Sequence, residues 1–187
     1  MRVKRKRVLM DVDEVLCGFY EPVLEAAHRR LGINWTLEEN VTCWDVFELF
    51  TAHERFILYD EMCTPGFCST FKVKEGAQEA IEEIRSIADV TPVTRQFPSP
   101  TWVHDRALWL EKHFGFKEHE IVNTAAKHLV KGDAFLDDNP QNVISWQQAH
   151  PEGVGMLWHT RATRDESQHD HFRVHSWVDF IQKIRDL

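Results

Sequence analysis

Three apolar segments that each end in a carboxylate or a hydroxyl most strongly limit how this chain can fold. The first ends at Asp11, the second at Thr94 and the third at Asp137. Each segment is short and mostly apolar, which is typical of a strand buried on both faces, and Val154–Trp158 is a fourth segment of this kind. Polar groups at several strand ends are expected where parallel strands deliver ligand-binding residues to one edge of a sheet.

Helical patterns separate these predicted strands. Apolar residues recur at helical spacing in Ala77–Ile87, in Trp102–Phe114 and in residues 142–149, and Gly115 is a plausible stop for the second helix. Strands that alternate with helices predict an α/β fold with a central parallel sheet. The sequence therefore predicts a Rossmann-like core.

The stretch 19–74 breaks this alternation because it is rich in aromatic and charged residues and has helical patterns in Tyr20–Leu31 and in residues 51–62. We predict that residues 19–74 form a small helical cap inserted after the first strand, and that residues 1–18 and 75–187 form the core. An ordinary pair of helices covering the sheet is the alternative.

Composition narrows the function classes. A net charge of -8 disfavours binding to a nucleic acid polymer, whereas a small anion could still bind beside a metal ion or a local cation. No apolar segment is long enough to cross a bilayer, and the four cysteines lack the spacing of a disulfide framework. We expect a soluble cytoplasmic protein without a membrane partner, while monomer and homodimer both stay open.

The pair Asp11 and Asp13 follows the first predicted strand with one residue between them, so in an extended chain both carboxylates point to the same side. Such a pair can divide the work of phosphoryl transfer: Asp11 attacks phosphorus, and Asp13 acts as acid and then as base. A solvated acidic turn explains the motif equally well when it is taken alone.

A second acidic pair, Asp137 and Asp138, follows another predicted strand. Two acidic pairs at one sheet edge would repel each other unless a divalent cation lay between them, and ligands that are all oxygen favour Mg²⁺. The alternative is a helix N-cap and turn, for which Asp138 or Asn139 could serve.

Two further residues could hold a phosphate. Thr94 offers a hydroxyl and a backbone N–H at its strand end, and Lys127 lies ten residues before Asp137. Lys131 competes with Lys127 by proximity, but we expect it to be solvated. The cluster His159, His169, His171 and His175 is interpreted as part of a solvated polar loop and not as a metal site.

The order Asp-x-Asp, Thr, Lys, Asp-Asp resembles the four-part pattern of the haloacid dehalogenase superfamily. Receiver domains use similar residues, but there the acidic residues precede Thr and Lys and no acidic pair follows. The resemblance extends over nearly the whole chain to the 5'(3')-deoxyribonucleotidase family, through the following segments: DVDEVL from Asp11, PGF from Pro65, KV from Lys72, GAQE from Gly76, KHLVKGD from Lys127, LDDNP from Leu136 and HSWVD from His175.

The resemblance implies a magnesium-dependent phosphomonoester hydrolase with Asp11 as nucleophile and Asp13 as acid and base. It implies that Thr94 and Lys127 hold the phosphate. The Mg²⁺ ligands that it implies are Asp11, the Asp13 carbonyl, Asp137 and Asp138. The residues that it implies for contact with the nucleobase are Phe67 and Trp44, and packing within the cap is the alternative for both.

The chain departs from the family at Arg95 and Gln96, where small residues are usual, and Arg95 could add a second positive contact to the phosphate or change the shape of the pocket. The substrate expected from the resemblance is a deoxynucleoside monophosphate. Another small phosphomonoester such as a sugar phosphate is the enzyme alternative, and a binding module without turnover is the alternative from another class.

Overall fold

A six-stranded, entirely parallel sheet forms the centre of the protein, in the order β3-β2-β1-β4-β5-β6. The computed structural model describes residues 5–160 and 172–187. The strands are β1 Lys6–Met10, β2 Ala88–Thr94, β3 Val122–Asn123, β4 Ala134–Asp137, β5 Val154–Trp158 and β6 Arg173–Val174.

Helices fill the segments between the strands. The helices of the core are α4 Ala77–Ile87, α5 Trp102–Phe114, α6 Pro140–Ala149 and α7 Trp177–Arg185. Between β1 and α4 lie α1 Tyr20–Leu31, α2 Leu37–Asn40 and α3 Ala52–Met62, together with two 3-10 helices, Val46–Leu49 and Phe67–Thr70. The predicted α/β fold with a helical insertion after the first strand is therefore confirmed.

The predicted helices Ala77–Ile87 and Trp102–Phe114 have the observed bounds, and Gly115 ends the second in a left-handed conformation with φ 71°. The third helix begins at Pro140, two residues earlier than predicted, because the Asn139 side chain accepts hydrogen bonds from the first N–H groups and proline suits the first helical position.

The core has one cluster of apolar side chains on each face of the sheet. Val8 and Met10 pack on the face covered by α4, α5 and α7, while Leu9 packs on the opposite face with Phe135 and Trp146. Because successive side chains of a strand alternate between faces, the consecutive apolar residues Val8, Leu9 and Met10 of β1 are covered on both sides, whereas Lys6 and Arg7 at its start are exposed. This burial fixes the register that brings the strand ends together.

The helical insertion joins the core through two segments that lie side by side. The Gly18 N–H donates to the Lys72 carbonyl at 2.9 Å, and the Lys74 N–H donates to the Leu16 carbonyl at 2.9 Å. Within the insertion α1 packs on α3, and Arg30 of α1 is paired with Glu61 of α3 at 2.6 Å. Among the helices in the described ranges, none is long and apolar enough to span a bilayer.

Candidate active site

The carboxyl ends of the three central strands bring the predicted polar residues to one edge of the sheet. Asp11 follows β1, Thr94 closes β2, and Asp137 closes β4. The Asp11 N–H donates to the carbonyl of Leu136 in β4 at 2.8 Å, so Asp11 and Asp137 are held on neighbouring chains of the sheet. Strand order alone therefore assembles residues that are more than 120 positions apart in sequence.

Lys127 lies between the two strand-end carboxylates. Its Nζ is 2.6 Å from Asp11 Oδ1 and 2.7 Å from Asp137 Oδ2, and the side chain is buried. A short 3-10 helix, Lys127–Leu129, delivers it from the segment before β4. Lys131, the competing residue, is exposed. Removal of Lys127 would leave two buried carboxylates without the cation that they share.

Burial and mutual repulsion disfavour the ionised form of two carboxyl groups at this edge. Burial raises the pKa of Asp11 to about 7, Lys127 opposes this rise, and Asp137 and Asp13 add to it. Burial also raises the pKa of Asp138 well above its usual value, with further contributions from Asp137 and Asp11. A divalent cation would reverse both effects because it stabilises the ionised carboxylates.

The two members of the Asp137–Asp138 pair have different partners. Besides Lys127, Asp137 accepts hydrogen bonds from the Asn139 N–H at 2.8 Å and from Asn142 Nδ2 at 3.1 Å. Asp138 instead accepts a hydrogen bond from the indole N–H of Trp44, at 2.9 Å. Asn139 serves as the N-cap of α6, which removes the need for Asp138 in that role.

These carboxylates fit the predicted cation. Asp11, Asp137 and Asp138 each offer one oxygen, and the three oxygens lie within 4.8 Å of one another. A buried donor set that consists only of oxygen suits Mg²⁺ better than zinc or a softer metal. We call the set of Asp11, Lys127, Asp137 and Asp138 the acidic floor.

Asp13 has a buried cationic partner that the sequence analysis missed. Arg106 of α5 is fully buried, and its Nη2 is 2.5 Å from Asp13 Oδ1. Arg106 Nη1 also contacts the Cys17 sulfur at 3.1 Å, and its guanidinium lies over the rings of Phe71 and Trp102. The signal in the sequence was an arginine on the same helical face as Trp102 and Trp109, where an apolar residue is usual.

Glu14, the next residue along, joins the site to the insertion. It has a positive φ of 56°, which is uncommon for a residue with a side chain. Its carboxylate accepts the N–H groups of Phe19 and Tyr20 at the start of α1 and is 2.5 Å from Lys74 Nζ. Burial raises the pKa of Glu14, and the Lys74 ammonium opposes that rise. One side chain thus contacts both connections of the insertion.

A cavity of about 470 Å³ opens above the acidic floor, and residues from both the insertion and the core line it. Its aromatic lining we call the aromatic wall: Phe19, Tyr20, Trp44, Phe47, Tyr59, Phe97 and Trp102. Several of the rings meet edge to face, with centroids 4.8 Å apart for Phe47 and Tyr59 and 5.3 Å apart for Tyr59 and Phe97. Such a cavity suits a planar, largely apolar group attached to an anion.

The residues predicted to contact substrate lie at different depths. Trp44 and Arg95 line the cavity, and Arg95 is exposed. Thr94 is buried at the end of β2, with its hydroxyl 3.5 Å from the Arg95 carbonyl oxygen. Phe67 is buried one layer behind the cavity, where its ring stacks on Trp102. A direct contact between Phe67 and a base stays a prediction, which this placement does not favour.

The histidine cluster is described only in part. The His159 and His175 rings pack together with centroids 4.9 Å apart, near the end of β5. His169 and His171 lie outside the described residues. In the described ranges, the group of acidic residues that could hold a metal contains no histidine.

A parallel sheet that carries such an acidic edge beneath a helical insertion places the chain among the hydrolases of the haloacid dehalogenase superfamily. Residues 5–187 match the family described as 5' nucleotidase, deoxy (pyrimidine), cytosolic type C protein, and the chain belongs to that family. It is therefore a phosphoric monoester hydrolase of the 5'-nucleotidase type.

Individual relatives agree with this placement. A Staphylococcus epidermidis protein provisionally named 5'(3')-deoxyribonucleotidase is 27% identical over 176 residues, which cover 94% of this chain and 93% of that protein. The 5'(3')-deoxyribonucleotidase of Bacillus subtilis is 24% identical over 184 residues, with 96% and 99% covered. A haloacid dehalogenase family hydrolase from Deinococcus radiodurans, solved with bound phosphate and sodium, shares the fold with a TM-score of 0.60 at 13% identity, over 94% and 93% of the two chains.

Proposed function

We propose that this protein is a magnesium-dependent 5'(3')-deoxyribonucleotidase that works through a phospho-aspartyl intermediate on Asp11. The observation that carries the proposal is the position of Lys127, whose ammonium lies within 2.7 Å of both Asp11 and Asp137 at the bottom of the cavity. A buried cation between a nucleophile and a metal-binding carboxylate suits a reaction in which phosphoryl charge must be neutralised. The helical insertion 19–74 then acts as the cap.

In the first step an Asp11 carboxylate oxygen attacks phosphorus, and the bond from phosphorus to the nucleoside oxygen breaks. Asp13 gives its proton to the departing oxygen, so a neutral nucleoside leaves and an acyl phosphate remains on Asp11. Lys127, together with Thr94 and Arg95 at the end of β2, would hold the phosphoryl oxygens. This division of roles agrees with the positions of Asp11 and Asp13 along the lining of the cavity.

In the second step the Asp13 carboxylate takes a proton from water, whose oxygen attacks phosphorus. The bond between phosphorus and Asp11 breaks, which releases inorganic phosphate and restores the Asp11 carboxylate and the protonated Asp13. Asp11, the backbone carbonyl of Asp13, Asp137 and Asp138 would hold Mg²⁺, with Asp138 the more available of the acidic pair. When bound, Mg²⁺ supplies charge neutralisation for the phosphoryl group.

The aromatic wall supports a deoxynucleoside monophosphate as the substrate. A nucleobase can stack on aromatic rings, and a mostly apolar wall would leave a ribose 2'-hydroxyl without a hydrogen-bond partner. The family description names a deoxy-type pyrimidine nucleotidase that is cytosolic, and we carry both the substrate class and a cytoplasmic location over to this chain as part of the proposal.

The test is phosphate release from deoxynucleoside, ribonucleoside and sugar monophosphates, with Mg²⁺ and with a chelator. We expect Mg²⁺-dependent release that favours deoxynucleotides and that falls at least about 10,000-fold in Asp11→Asn, because the variant lacks its nucleophile. Asp89→Asn is a matched control, since Asp89 is exposed and pairs with Arg5 near the opposite end of the sheet.

Other outcomes separate the alternatives. Release from sugar phosphates alone would keep the chemistry and reject the nucleotide substrate. Failure to release phosphate from any compound, combined with tight binding of nucleotides, would favour a binding module. Full activity in Asp11→Asn would reject the phospho-aspartyl intermediate.

A further inference from the structure

A hydrogen bond crosses from the helical insertion to a carboxylate of the acidic floor. The indole N–H of Trp44 donates to Asp138 Oδ2 at 2.9 Å, although the two residues are 94 positions apart. Trp44 lies in the segment between α2 and the 3-10 helix Val46–Leu49. Its backbone carbonyl accepts a hydrogen bond from the Tyr20 hydroxyl at 3.1 Å, so α1 holds the same residue from the other side.

Asp138 is the member of the acidic pair whose orientation most depends on such a contact. The oxygens of Asp137 are bound by Lys127, by the Asn139 N–H and by the Asn142 amide. Asp138 is also buried, but the Lys127 ammonium bonds to Asp11 and Asp137 and not to Asp138. A carboxylate that binds a metal is usually held by a hydrogen bond on its other oxygen, which fixes the ligand's orientation.

We propose that Trp44 is a positioning residue for the cation: its indole N–H holds one oxygen of Asp138 and thereby turns the other oxygen toward the metal position. The inference rests on the proposed function, since it takes the cation site of the acidic floor as given. A direct consequence is that the position of the insertion and the affinity for the metal are coupled, because the hydrogen bond that orients Asp138 forms only when the insertion holds Trp44 in place.

This role differs from stacking on a nucleobase, and one substitution separates the two roles. Trp44→Phe keeps an aromatic ring in the cavity and removes the N–H donor. Trp102→Phe makes the same change at another ring of the aromatic wall. The indole N–H of Trp102 is buried and finds no hydrogen-bond partner in the described part of the chain, so its removal takes no donor from the acidic floor.

The experiment is a calorimetric titration of the metal-free full-length protein with Mg²⁺, without substrate. We expect Trp44→Phe to weaken Mg²⁺ binding about 10-fold, as loss of a partner of a metal ligand usually does, and Trp102→Phe to stay within about 2-fold of the wild type. Asp138→Asn gives the reference for a lost ligand. Circular dichroism and thermal unfolding of the metal-free proteins verify that each variant is folded.

A second measurement follows the coupling itself. Hydrogen exchange of the backbone around residues 41–50 is expected to slow when Mg²⁺ is added to the wild type, and to slow less in Trp44→Phe. A residue with only a packing role would change the exchange rate equally with and without the metal.

The inference is overturned if Trp44→Phe binds Mg²⁺ as tightly as the wild type and instead raises the KM for the nucleotide at saturating Mg²⁺, because Trp44 would then only contact the base. A wild type that binds no Mg²⁺, or an Asp138→Asn variant that binds it normally, would reject the metal site of the proposed function. These results can be told apart because the first concerns the Trp44→Phe variant, whereas the others concern the wild type and the Asp138→Asn variant in the same titration.

Discussion

The acidic floor and the aromatic wall face each other across one cavity, but they are built in different ways. In the floor, charged groups are buried and paired at hydrogen-bond distance, as in the contacts of Lys127 with Asp11 and Asp137. In the wall, neighbouring rings meet at centroid distances of about 5 Å with few polar contacts. Loss of Lys127 from the floor leaves buried carboxylates without their cation, whereas a change in the wall removes a contact worth about 1 kcal/mol.

The acidic floor and the aromatic wall should therefore control different kinetic constants. Under the proposed function the floor is directed at the phosphoryl group, whose charge changes during the reaction, so its loss should lower kcat. The wall would contact the nucleobase, a part of the proposed substrate that does not react, so its loss should mainly raise KM.

Lys127→Met is expected to give the largest effect, because it removes the cation between two buried carboxylates. We expect kcat to fall about 1,000-fold and the free energy of unfolding to fall by about 3–5 kcal/mol near neutral pH. Steady-state kinetics and urea unfolding measure the two changes. Lys131→Met is the control, since Lys131 is exposed and should change neither quantity appreciably. A Lys127→Met variant with normal kcat would contradict the role of the floor.

Arg106→Met tests a residue that joins the proposed acid to the wall, because Arg106 pairs with Asp13 and also packs on Trp102. If Arg106 positions the acid, kcat for a nucleoside monophosphate should fall about 100-fold, while kcat for p-nitrophenyl phosphate should fall much less, since its leaving group needs no proton.

Arg106→Lys should recover part of the activity on the nucleotide, because a cation returns near Asp13. Equal losses on the two substrates, together with a lowered melting temperature, would indicate that Arg106 serves only to hold the fold. The ratio of the two rates is therefore the measurement that decides.

Tyr59→Ala should have the smallest effect. Tyr59 is partly exposed and contacts Phe47 and Phe97, so its removal opens the wall without leaving a buried charge. We expect KM for the nucleotide to rise about 3- to 10-fold, with kcat within about 2-fold of the wild type. Tyr59→Phe keeps the ring and should behave like the wild type. A loss in kcat at unchanged KM would remove the distinction between the two surfaces.

The sequence was most informative where local pattern and strand ends coincide. Asp11, Thr94 and Asp137 could be placed at one edge because each closes an apolar segment, and parallel strands bring such ends together. The first and last residues of α4 and α5 could be predicted because they depend on local signals, namely the spacing of apolar residues and, for α5, the glycine that follows it. The short edge strands β3 and β6 were not predicted, since two residues contain no periodicity.

Contacts between distant segments were not predictable from a single sequence. The pairs Arg106–Asp13, Lys74–Glu14 and Trp44–Asp138 each join the core edge to a remote helix or to the insertion. Nothing in the local pattern states which of several charged or aromatic residues will meet, because that depends on how the helices pack. The residues proposed for acid–base and metal-binding roles were therefore easier to name than the residues that hold them in place.

The hydrogen bonds between Gly18 and Lys72 and between Lys74 and Leu16 place both ends of the insertion at the same point of the core. The sheet therefore meets the insertion as a loop that is already closed, and the entropy of closing such a loop depends only weakly on its length. The segment between these two points can therefore change in length or sequence during evolution without a change in the strand register beneath it. A family with this architecture can acquire new substrates while it keeps one chemistry.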